Sequence, residues 1–541
     1  METKLAVFVN QIGYEPKKSK FAYATGLNGT ESFSLVDKAS NKVVFTSKAA
    51  APKCDRVAGE DVCCLDFSDF TIPGTYFISI TSRNGQTVQS FPVIIQENIY
   101  CQVYFSTLYY FYLSRCGQET RDNIYKLWGH SSCHDTPATI YGTDQKKEVN
   151  GGWHDAGDYG RYVVAGSKAV MDILLAYEAS PSFDQFDILA EARFELEWML
   201  KMQREDGGVC HKVSCYHFCG FINPQDEKDE LVIAPVSSTA TADFAGCCAF
   251  ASEFYKKTDP AFAASLLKAA LKAQAYLESH DDEPYKNPPE ITTGGYGDWS
   301  SDDERYFACA ALFLRTGEEK YLTLAMQYRN KIVKAPKDPE CPWKNVWFEG
   351  FGWGMVAGYG TELFLRAKDK IKDKKILKNI TDSMLDTADR LLFTVDTASF
   401  GTSLEKVMWG SSGHVCDNAH ALLLAYDITG DTKYYEAAKK QFDYVLGCNP
   451  MNICYVTDFG TNTVEHPHHR PSAAMEKTMP GMLSGGPCEG LYDAVAKEKL
   501  EPLHLPPLRC FIDDWGSYST NEIAIYWNST FVYVASKLKL V

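Results

Sequence analysis

The sequence changes character near residue 97, from short strand-like segments to amphipathic helical segments. Beyond that point, apolar residues recur at helical spacing in about twelve segments. These segments begin near residues 99, 161, 184, 239, 261, 304, 319, 353, 377, 413, 431 and 520. Twelve helices taken as six consecutive pairs predict a mainly α fold, a closed (α/α)6 barrel. A helical-repeat solenoid is the alternative, but no motif recurs at a fixed period.

The residues before the change predict a small all-β domain. Seven short segments are rich in β-branched and aromatic residues, and turn pairs such as Asn28-Gly29, Pro73-Gly74 and Asn84-Gly85 separate some of them. The segments are 5–10, 21–25, 32–36, 43–46, 62–67, 75–80 and 91–95. About seven strands in fewer than 100 residues are typical of an immunoglobulin-like sandwich. We therefore expect a sandwich over residues 1–97 and a barrel over 98–541.

The charge balance narrows the class of partner. The chain carries 54 Lys and Arg against 70 Asp and Glu, a formal net charge of −16. Binding to nucleic acid or anionic lipid requires clustered cations, and none appear. No run approaches eighteen consecutive apolar residues, so we expect no membrane span. An uncharged partner fits this composition best, and we expect a monomer.

The sequence leaves the compartment open. The first residues, METKLAVFVNQIGYEP, contain no long apolar stretch of the kind found in signal peptides. The 18 cysteines favour a reducing compartment in a chain without an export signal. We expect a cytoplasmic protein, or a secreted one if a signal peptide was removed from this sequence.

Three long connections, at about 116–160, 205–238 and 448–519, carry most of the candidate functional residues. Long connections inside a compact domain are usually functional. The first ends in GGWHDAGDY, where Asp155 and Asp158 precede a helix expected near Arg161. One interpretation is helix capping. The other is a general base with a helper that orients water, since a helix N-terminus favours an ionised carboxylate.

The third connection ends in DDWGSYSTNE, immediately before an apolar segment, 523–538. Glu522 is either a first-turn residue of that helix, capped by Ser519 or Thr520, or a general acid. The helix dipole should lower the pKa of Glu522, whereas an acid must keep its proton near neutral pH. Burial, or the negative charges of Asp514 and the distant Asp pair, would have to offset the dipole.

At this point the sequence resembles glycoside hydrolase family 9, the cellulase family. The resemblance rests on motifs in a fixed order: GGWHDAGDYGRYVV, WMLKMQREDGGV, APVSSTATADF, TGGYGDW, LGCNPMNICYVTDFG, PHHRPS and SYSTNEIAIYWN. The opening VNQIGYEP resembles the immunoglobulin-like module that precedes the barrel in one branch of the family. The set covers essentially the whole chain.

The resemblance implies an inverting hydrolase of β-1,4-linked glucose polymers. By position, Asp158 is the general base, Asp155 helps to hold the attacking water, and Glu522 is the general acid. His468 and Arg470 match positions that contact sugar hydroxyls, and Tyr518 lies in the acid-bearing segment. From the residues alone, the histidine-rich PHHRPS segment suits either a metal or a polar ligand.

Aromatic side chains stack well on pyranose rings. Trp299 and Trp353 are our candidates for sugar-binding platforms, and burial in the core is the alternative for each.

Two metal sites are also expected. One candidate site has two thiols and two imidazoles, from Cys116, Cys133, His134 and His154. From their spacing alone, buried free thiols are at least as good an interpretation as a zinc site. The family's immunoglobulin-bearing branch has zinc at matching positions, which implies a structural zinc that holds the Asp155–Asp158 loop. The family often has calcium near the positions of Asp229, Glu230 and Asp303, and a solvated acidic run is the alternative.

The mode of cleavage is less constrained than the chemistry. The primary hypothesis is an endo-acting β-1,4-glucanase on cellulose-like or mixed-linkage β-glucans. The alternative is an exo-acting β-glucosidase or glucosaminidase on soluble oligosaccharides, which the thiols and the absent export signal favour. A non-catalytic carbohydrate-binding protein would have lost Asp158 or Glu522, and both are present. Departures from the family pattern at Cys454 and Asp458, and the unassigned Cys210, Cys215 and Cys219, leave the cleft shape open.

Overall fold

A computed structural model describes residues 4–334 and 349–541. The chain divides into two compact units. One unit comprises Met1–Tyr110 and Asp389–Val541, and the other comprises Phe111–Ala388.

The N-terminal strands form two antiparallel sheets over a common apolar core. One sheet has the order β1-β2-β5, and the other has the order β4-β3-β6-β7 with β8 paired to β6. The strands are β1 (Ala6–Phe8), β2 (Phe21–Thr25), β3 (Ser32–Asp37), β4 (Val43–Lys48), β5 (Val62–Asp66), β6 (Gly74–Thr81), β7 (Thr87–Gln89) and β8 (Val93–Ile95). Each of the seven predicted strands has its counterpart. The exposed three-residue strand β7 is additional, because three mostly polar residues carry no readable pattern.

Helices account for most of the remaining regular structure. In the described part of the chain they are α1 (Cys101–Leu113), α2 (Val163–Ala179), α3 (Ile188–Met202), α4 (Ser238–Tyr255), α5 (Pro260–Ser279), α6 (Asp302–Thr316), α7 (Glu319–Lys334), α8 (Ala357–Arg366), α9 (Lys374–Thr397), α10 (Ser411–Thr429), α11 (Thr432–Val445), α12 (Arg470–Met475), α13 (Ala494–Leu500), α14 (Tyr518–Asn521) and α15 (Ile525–Lys537). All twelve predicted helices are present, and their starts lie within about five residues of the expected positions.

In the unit Phe111–Ala388, the helices form an inner row and an outer row. Helices α2, α4, α6 and α8 pack side by side, while α3 packs on α2, α5 on α4 and α7 on α6. Helix α4 is buried on nearly every face, as expected of an inner helix. A Cβ at Gly246 of α4 would lie 2.5 Å from the ring of Phe307 in α6, so glycine permits this close packing.

In the other unit, α10 packs on both α11 and α15. The short helices α12 and α13 lie within the long connection 448–519, which the sequence left without regular structure, and α14 begins at the end of that connection.

Two of the predicted long loops contain a small sheet that the sequence analysis missed. Five strands from 138–233 pair in the order β10-β9-β13-β12-β11. They are β9 (Ala138–Ile140), β10 (Lys146–Lys147), β11 (Arg161–Tyr162), β12 (Lys212–Cys215) and β13 (Leu231–Ile233). Strands of two to four residues are too short to produce a readable alternation. This sheet joins the segment before α2 to the connection that precedes α4.

Across the described residues, no helix combines the length and the apolar character that a membrane crossing requires.

Candidate active site

The Asp155–Asp158 loop is closed by hydrogen bonds to the residues that follow it. The Asp155 backbone N–H donates to the Gly160 carbonyl at 3.0 Å. The Asp158 Oδ2 atom accepts from the Gly160 N–H and from the Tyr162 hydroxyl, both at 3.1 Å. The capping interpretation is wrong, because the residue that precedes α2 is Tyr162 and its side chain makes no capping bond. The short strand β11 separates both carboxylates from the helix.

Asp155 occupies an unusual environment for a carboxylate. Its side chain is 1% exposed, and its Oδ1 atom has no hydrogen-bond partner among the described residues. The Tyr296 hydroxyl donates to Oδ2. Burial, and next the charge of Asp158, raise the pKa of Asp155 well above its usual value, while the Tyr296 bond opposes that rise. The negative charge of Asp158 therefore disfavours ionisation of Asp155.

A buried lysine, Lys212, lies near Asp158. Lys212 of β12 faces Tyr162 of β11 across the sheet, and its Nζ lies 5.4 Å from the centre of the Tyr162 ring. The ammonium donates to Thr293 Oγ1 at 2.9 Å and to the Gly294 carbonyl at 2.5 Å. Burial lowers the pKa of Lys212 to about 7, against the opposing pull of the Asp158 charge.

The neighbouring His211 holds the same segment. Its Nε2–H donates to the Gly295 carbonyl at 3.0 Å, and its ring stacks on Tyr285 at 3.7 Å. Lys212 and His211 thus position residues 293–295, immediately before Tyr296. Sequence reasoning missed Tyr162, Tyr296 and Lys212 as functional candidates. Signals were available for all three, since Tyr162 lies in the GGWHDAGDYGRYVV motif, Tyr296 lies in TGGYGDW, and Lys212 is a charged residue in an apolar stretch.

Glu522 lies outside any helix. It follows α14 in an extended conformation, and α15 begins only at Ile525. The Glu522 carbonyl accepts from the Gly485 N–H at 2.7 Å. The prediction of a first-turn position is therefore wrong, and so is the capping role for Ser519 or Thr520, because the helix starts later than its apolar pattern suggests.

Neighbouring carboxylates are engaged in local contacts. Asp514 pairs with Lys499 at 2.7 Å, which lowers the pKa of Asp514 against the effect of burial. Asp513 accepts from the Asn521 side chain at 2.9 Å and from the His466 N–H at 2.8 Å. The negative charge of Asp514 that we expected to act on Glu522 is thus balanced by a cation.

His468 lies beside the segment that carries Tyr518 and Glu522. The His468 backbone N–H donates to the Asn521 carbonyl at 2.8 Å, next to Glu522. Its ring Nδ1–H donates to the Trp515 carbonyl at 2.6 Å, which fixes the ring proton on Nδ1. The Tyr518 ring centre lies 6.0 Å from that of His468. Arg470, the first residue of α12, is buried.

The aromatic candidates lie at the surface rather than in the core. Trp299 is 69% exposed, and Trp353 is partly exposed with its ring 4.8 Å from that of Tyr296 in a T-shaped contact. Core burial is excluded for both. Sequence reasoning also missed Trp409, which is 38% exposed and packs 5.1 Å from the Tyr518 ring. An exposed aromatic face beside Tyr518 suits stacking on a sugar ring.

The four residues expected to bind zinc lie together. The ligand atoms of Cys116, Cys133, His134 and His154 all lie within 4.8 Å of one another, and all four side chains are buried. It is the only such group of His, Cys, Asp or Glu over residues 4–334 and 349–541. The Nδ1 atom of His134 is buried and has no hydrogen-bond partner within the described part of the chain. Two thiols and two imidazoles at this spacing fit tetrahedral zinc.

The three residues expected to bind calcium do not form such a group. Asp229 is exposed, and the exposed Glu230 accepts from Thr139 at 2.6 Å and lies 3.7 Å from Lys146. Asp303 instead accepts from the Val356 N–H at 3.0 Å and lies beside other carboxylates. Those carboxylates are Asp243, Asp298 and Glu304. The calcium site remains a prediction.

Comparison with known proteins identifies the family. The family model described as glycosyl hydrolase family 9 matches residues 100–535, and the cellulase N-terminal ig-like domain matches residues 2–84. A cellodextrinase of Butyrivibrio fibrisolvens is 34% identical, covering 98% of this chain and 99% of that protein. A xyloglucan-specific endo-β-1,4-glucanase of Bacteroides ovatus is 32% identical, covering 98% of this chain and 93% of that protein.

The fold comparison agrees with the sequence comparison. A structure of AaCel9A in complex with cellobiose-like isofagomine superposes with a TM-score of 0.87 at 31% identity, covering 98% of this chain and 99% of that one. The predicted fold class is confirmed, with an N-terminal β-sandwich followed by a helical catalytic domain. The chain belongs to glycosyl hydrolase family 9 and is a glycoside hydrolase.

Proposed function

We propose that the protein is an inverting endo-β-1,4-glucanase acting on cellulose-like or mixed-linkage β-glucans. Asp158 removes a proton from water as the water attacks the anomeric carbon. Glu522 protonates the glycosidic oxygen as its bond to that carbon breaks. The proton that Asp158 gains balances the one that Glu522 loses, and the configuration at the anomeric carbon inverts. An inverting reaction requires the two carboxyl groups to lie roughly 6.5–9.5 Å apart.

The observation that carries this proposal is the pair of carboxylates with different environments. Asp155 is almost fully buried, receives the Tyr296 hydroxyl on Oδ2 and has Oδ1 as a further acceptor. Asp158 is 8% exposed, and both of its hydrogen-bond donors act on Oδ2. Asp155 therefore suits a role in holding water, and the more accessible Asp158 suits proton abstraction.

Three residues near Glu522 are proposed to contact sugar hydroxyls: His468, Arg470 and Tyr518. Three tryptophans are proposed to stack on sugar rings: Trp299, Trp353 and Trp409. The exposed position of Trp299 and the fixed ring proton of His468 support these assignments. The net charge of −16 suits an uncharged glucan and argues against nucleic acid. We propose a monomer, with the domain boundary near residue 97 supported by the family matches at 2–84 and 100–535.

Exo-action on soluble oligosaccharides is the second candidate. A relative that is 34% identical over nearly the full length of both chains is named a cellodextrinase. A relative with 32% identity is named an endo-β-1,4-glucanase. The two modes give different products from the same substrate.

Product analysis separates the two modes. The endo proposal predicts a rapid fall in the viscosity of a soluble β-glucan and several product lengths from an end-labelled cellohexaose. Release of monosaccharide alone, with unchanged viscosity, would refute endo-action and favour the second candidate. Asp158→Asn should be inactive in both assays. Asp226→Asn, which alters an exposed carboxylate in another segment, serves as the matched control.

We also propose a structural zinc held by Cys116, Cys133, His134 and His154. Bound zinc would supply a rigid crosslink between the start of the first loop and His154, next to Asp155. The orphaned His134 Nδ1 and the mutual distances of the ligand atoms support this assignment. Calcium at Asp229, Glu230 and Asp303 is the second metal proposal; it rests on the family resemblance, since these carboxylates do not form a group like that of the zinc ligands. Metal analysis after dialysis against calcium tests it.

A further inference from the structure

His134 has a second polar contact on the side of its ring opposite the zinc ligands. Its Nε2 atom lies 2.8 Å from Oε2 of Glu227, and the two side chains are 2% and 5% exposed. The other ring nitrogen, Nδ1, is buried without a hydrogen-bond partner among the described residues, so it is the nitrogen left for a metal. The imidazole therefore has one nitrogen for a metal and one for a carboxylate.

This arrangement has a known physical consequence. A histidine that binds a metal through one nitrogen usually donates the hydrogen on its other nitrogen to a carboxylate or carbonyl. The acceptor fixes the tautomer and the orientation of the ring, and it increases the electron density on the metal-binding nitrogen. Glu227 is placed to act in this way on His134. A buried carboxylate without such a partner would be costly to desolvate.

The Glu227 carboxylate is held by further contacts. The thiols of Cys215 and Cys219 face it within hydrogen-bonding range. Cys215 ends strand β12, and its thiol also donates to the Asp229 carbonyl at 3.7 Å. Two of the cysteines that the sequence left unassigned thus surround the residue that contacts His134.

A second link joins the same segment to the residues around the zinc ligands. The Tyr159 hydroxyl donates to the Ile222 carbonyl at 2.5 Å. The Tyr159 ring lies 4.8 Å from the ring of His154 and 5.4 Å from that of His134. The connection 216–230 is therefore attached to the zinc-binding group through Glu227 and through Tyr159.

We propose that Glu227, held by Cys215 and Cys219, is the outer-shell carboxylate of the zinc site and couples the connection 216–230 to the metal. Glu227 acts through His134 and is a positioning residue. The inference rests on the proposed zinc and is independent of the proposed mode of glucan cleavage.

Zinc affinity is the direct test. The wild-type protein, Glu227→Ala, Glu227→Gln and the control Asp226→Asn are loaded with zinc and titrated with a competing chelator. Loss of an outer-shell partner typically weakens metal binding by about 10–100-fold. We expect that loss for Glu227→Ala, a smaller loss for Glu227→Gln, whose amide oxygen still accepts a hydrogen bond, and wild-type affinity for Asp226→Asn.

Hydrogen exchange tests the coupling separately. Removing zinc from the wild-type protein should speed amide exchange in both 151–160 and 216–230. In Glu227→Ala, removing zinc should speed amide exchange in 216–230 by less than it does in the wild-type protein. If that variant does not fold, the isosteric Glu227→Gln is used for the same exchange comparison.

Wild-type zinc affinity in both Glu227 variants would overturn the inference while leaving the zinc site intact. A wild-type protein that binds no zinc would instead refute the zinc assignment, and the inference with it. Neither outcome bears on whether the protein cleaves glucans by endo-action.

Discussion

Replacing Tyr296 with Phe should lower the activity that we propose for Asp155 and Asp158, by an amount that depends on pH. The change removes the hydroxyl that donates to Asp155 but retains the ring, which packs 4.8 Å from Trp353 and 4.6 Å from Tyr162. Burial and the charge of Asp158 already raise the pKa of Asp155, and the Tyr296 bond opposes them. Without the hydroxyl, the pKa of Asp155 rises further.

The size of the effect follows from the strength of the lost bond. A hydrogen bond to a charged group contributes about 1.5–3 kcal/mol. Each 1.4 kcal/mol corresponds to about a factor of ten in an equilibrium or a rate. If ionised Asp155 holds the attacking water, kcat/KM should fall about 10–100-fold on the acid limb of the pH profile. The acid limb should also move to higher pH, because a carboxyl group that binds its proton more tightly ionises at a higher pH.

The assay is kcat/KM for a soluble oligosaccharide across the acid limb. Tyr141→Phe is the matched control, because the Tyr141 hydroxyl also donates to a carboxylate, Glu290, at 2.7 Å but at an exposed site. The control should keep the wild-type profile. An acid limb that stays in place in Tyr296→Phe, or moves to lower pH, would refute the assigned role of Asp155.

Three further predictions address the acid, the buried lysine and the metal. Glu522→Gln should lower kcat on an unactivated glycoside about 10²–10⁴-fold and leave substrate binding intact, whereas full activity would contradict the acid assignment. The pKa of Lys212 is about 7 in the folded protein, below its value in the unfolded chain. Between pH 7 and about 10 the unfolded chain therefore binds more protons than the folded protein, and the free energy of unfolding should rise with pH. Chemical denaturation at several pH values should show that Lys212→Met reduces this rise by up to about 1.4 kcal/mol per pH unit. An unchanged slope of the free energy of unfolding against pH would exclude a buried, titrating lysine. Removing zinc should lower Tm before it alters kcat, and an unchanged Tm on verified zinc loss would refute the structural role.

The helices and the sandwich strands were predictable because each carries a pattern of its own. Helix α4 is 18 residues long, and its predicted start at 239 is within one residue of Ser238. Strands β9 to β13 have two or three residues in most cases, and their existence depends on pairing between distant segments. No local pattern encodes such pairing, so the sheet that joins the first and second connections was missed.

The same distinction applies to the site. Asp155, Asp158 and Glu522 were predicted from motifs, and their roles stay predictions, whereas their predicted positions relative to helix starts were wrong. Lys212 becomes relevant only because β12 pairs with β11 and brings it next to Tyr162. Glu227 appears in the sequence as one member of an acidic run, yet it is buried against His134 while Asp229 and Glu230 are exposed. Burial of one acidic residue among several depends on tertiary contacts that the run itself does not reveal.

The anomeric configuration of the first product tests the central claim most directly. Proton NMR of cellohexaose hydrolysis, recorded before mutarotation equilibrates the new reducing ends, distinguishes the two outcomes. If Asp158 activates water while Glu522 protonates the leaving oxygen, the first signal to appear is that of the α-anomer. Initial formation of the β-anomer would show retention of configuration and would contradict the assignment of Asp158 as a base.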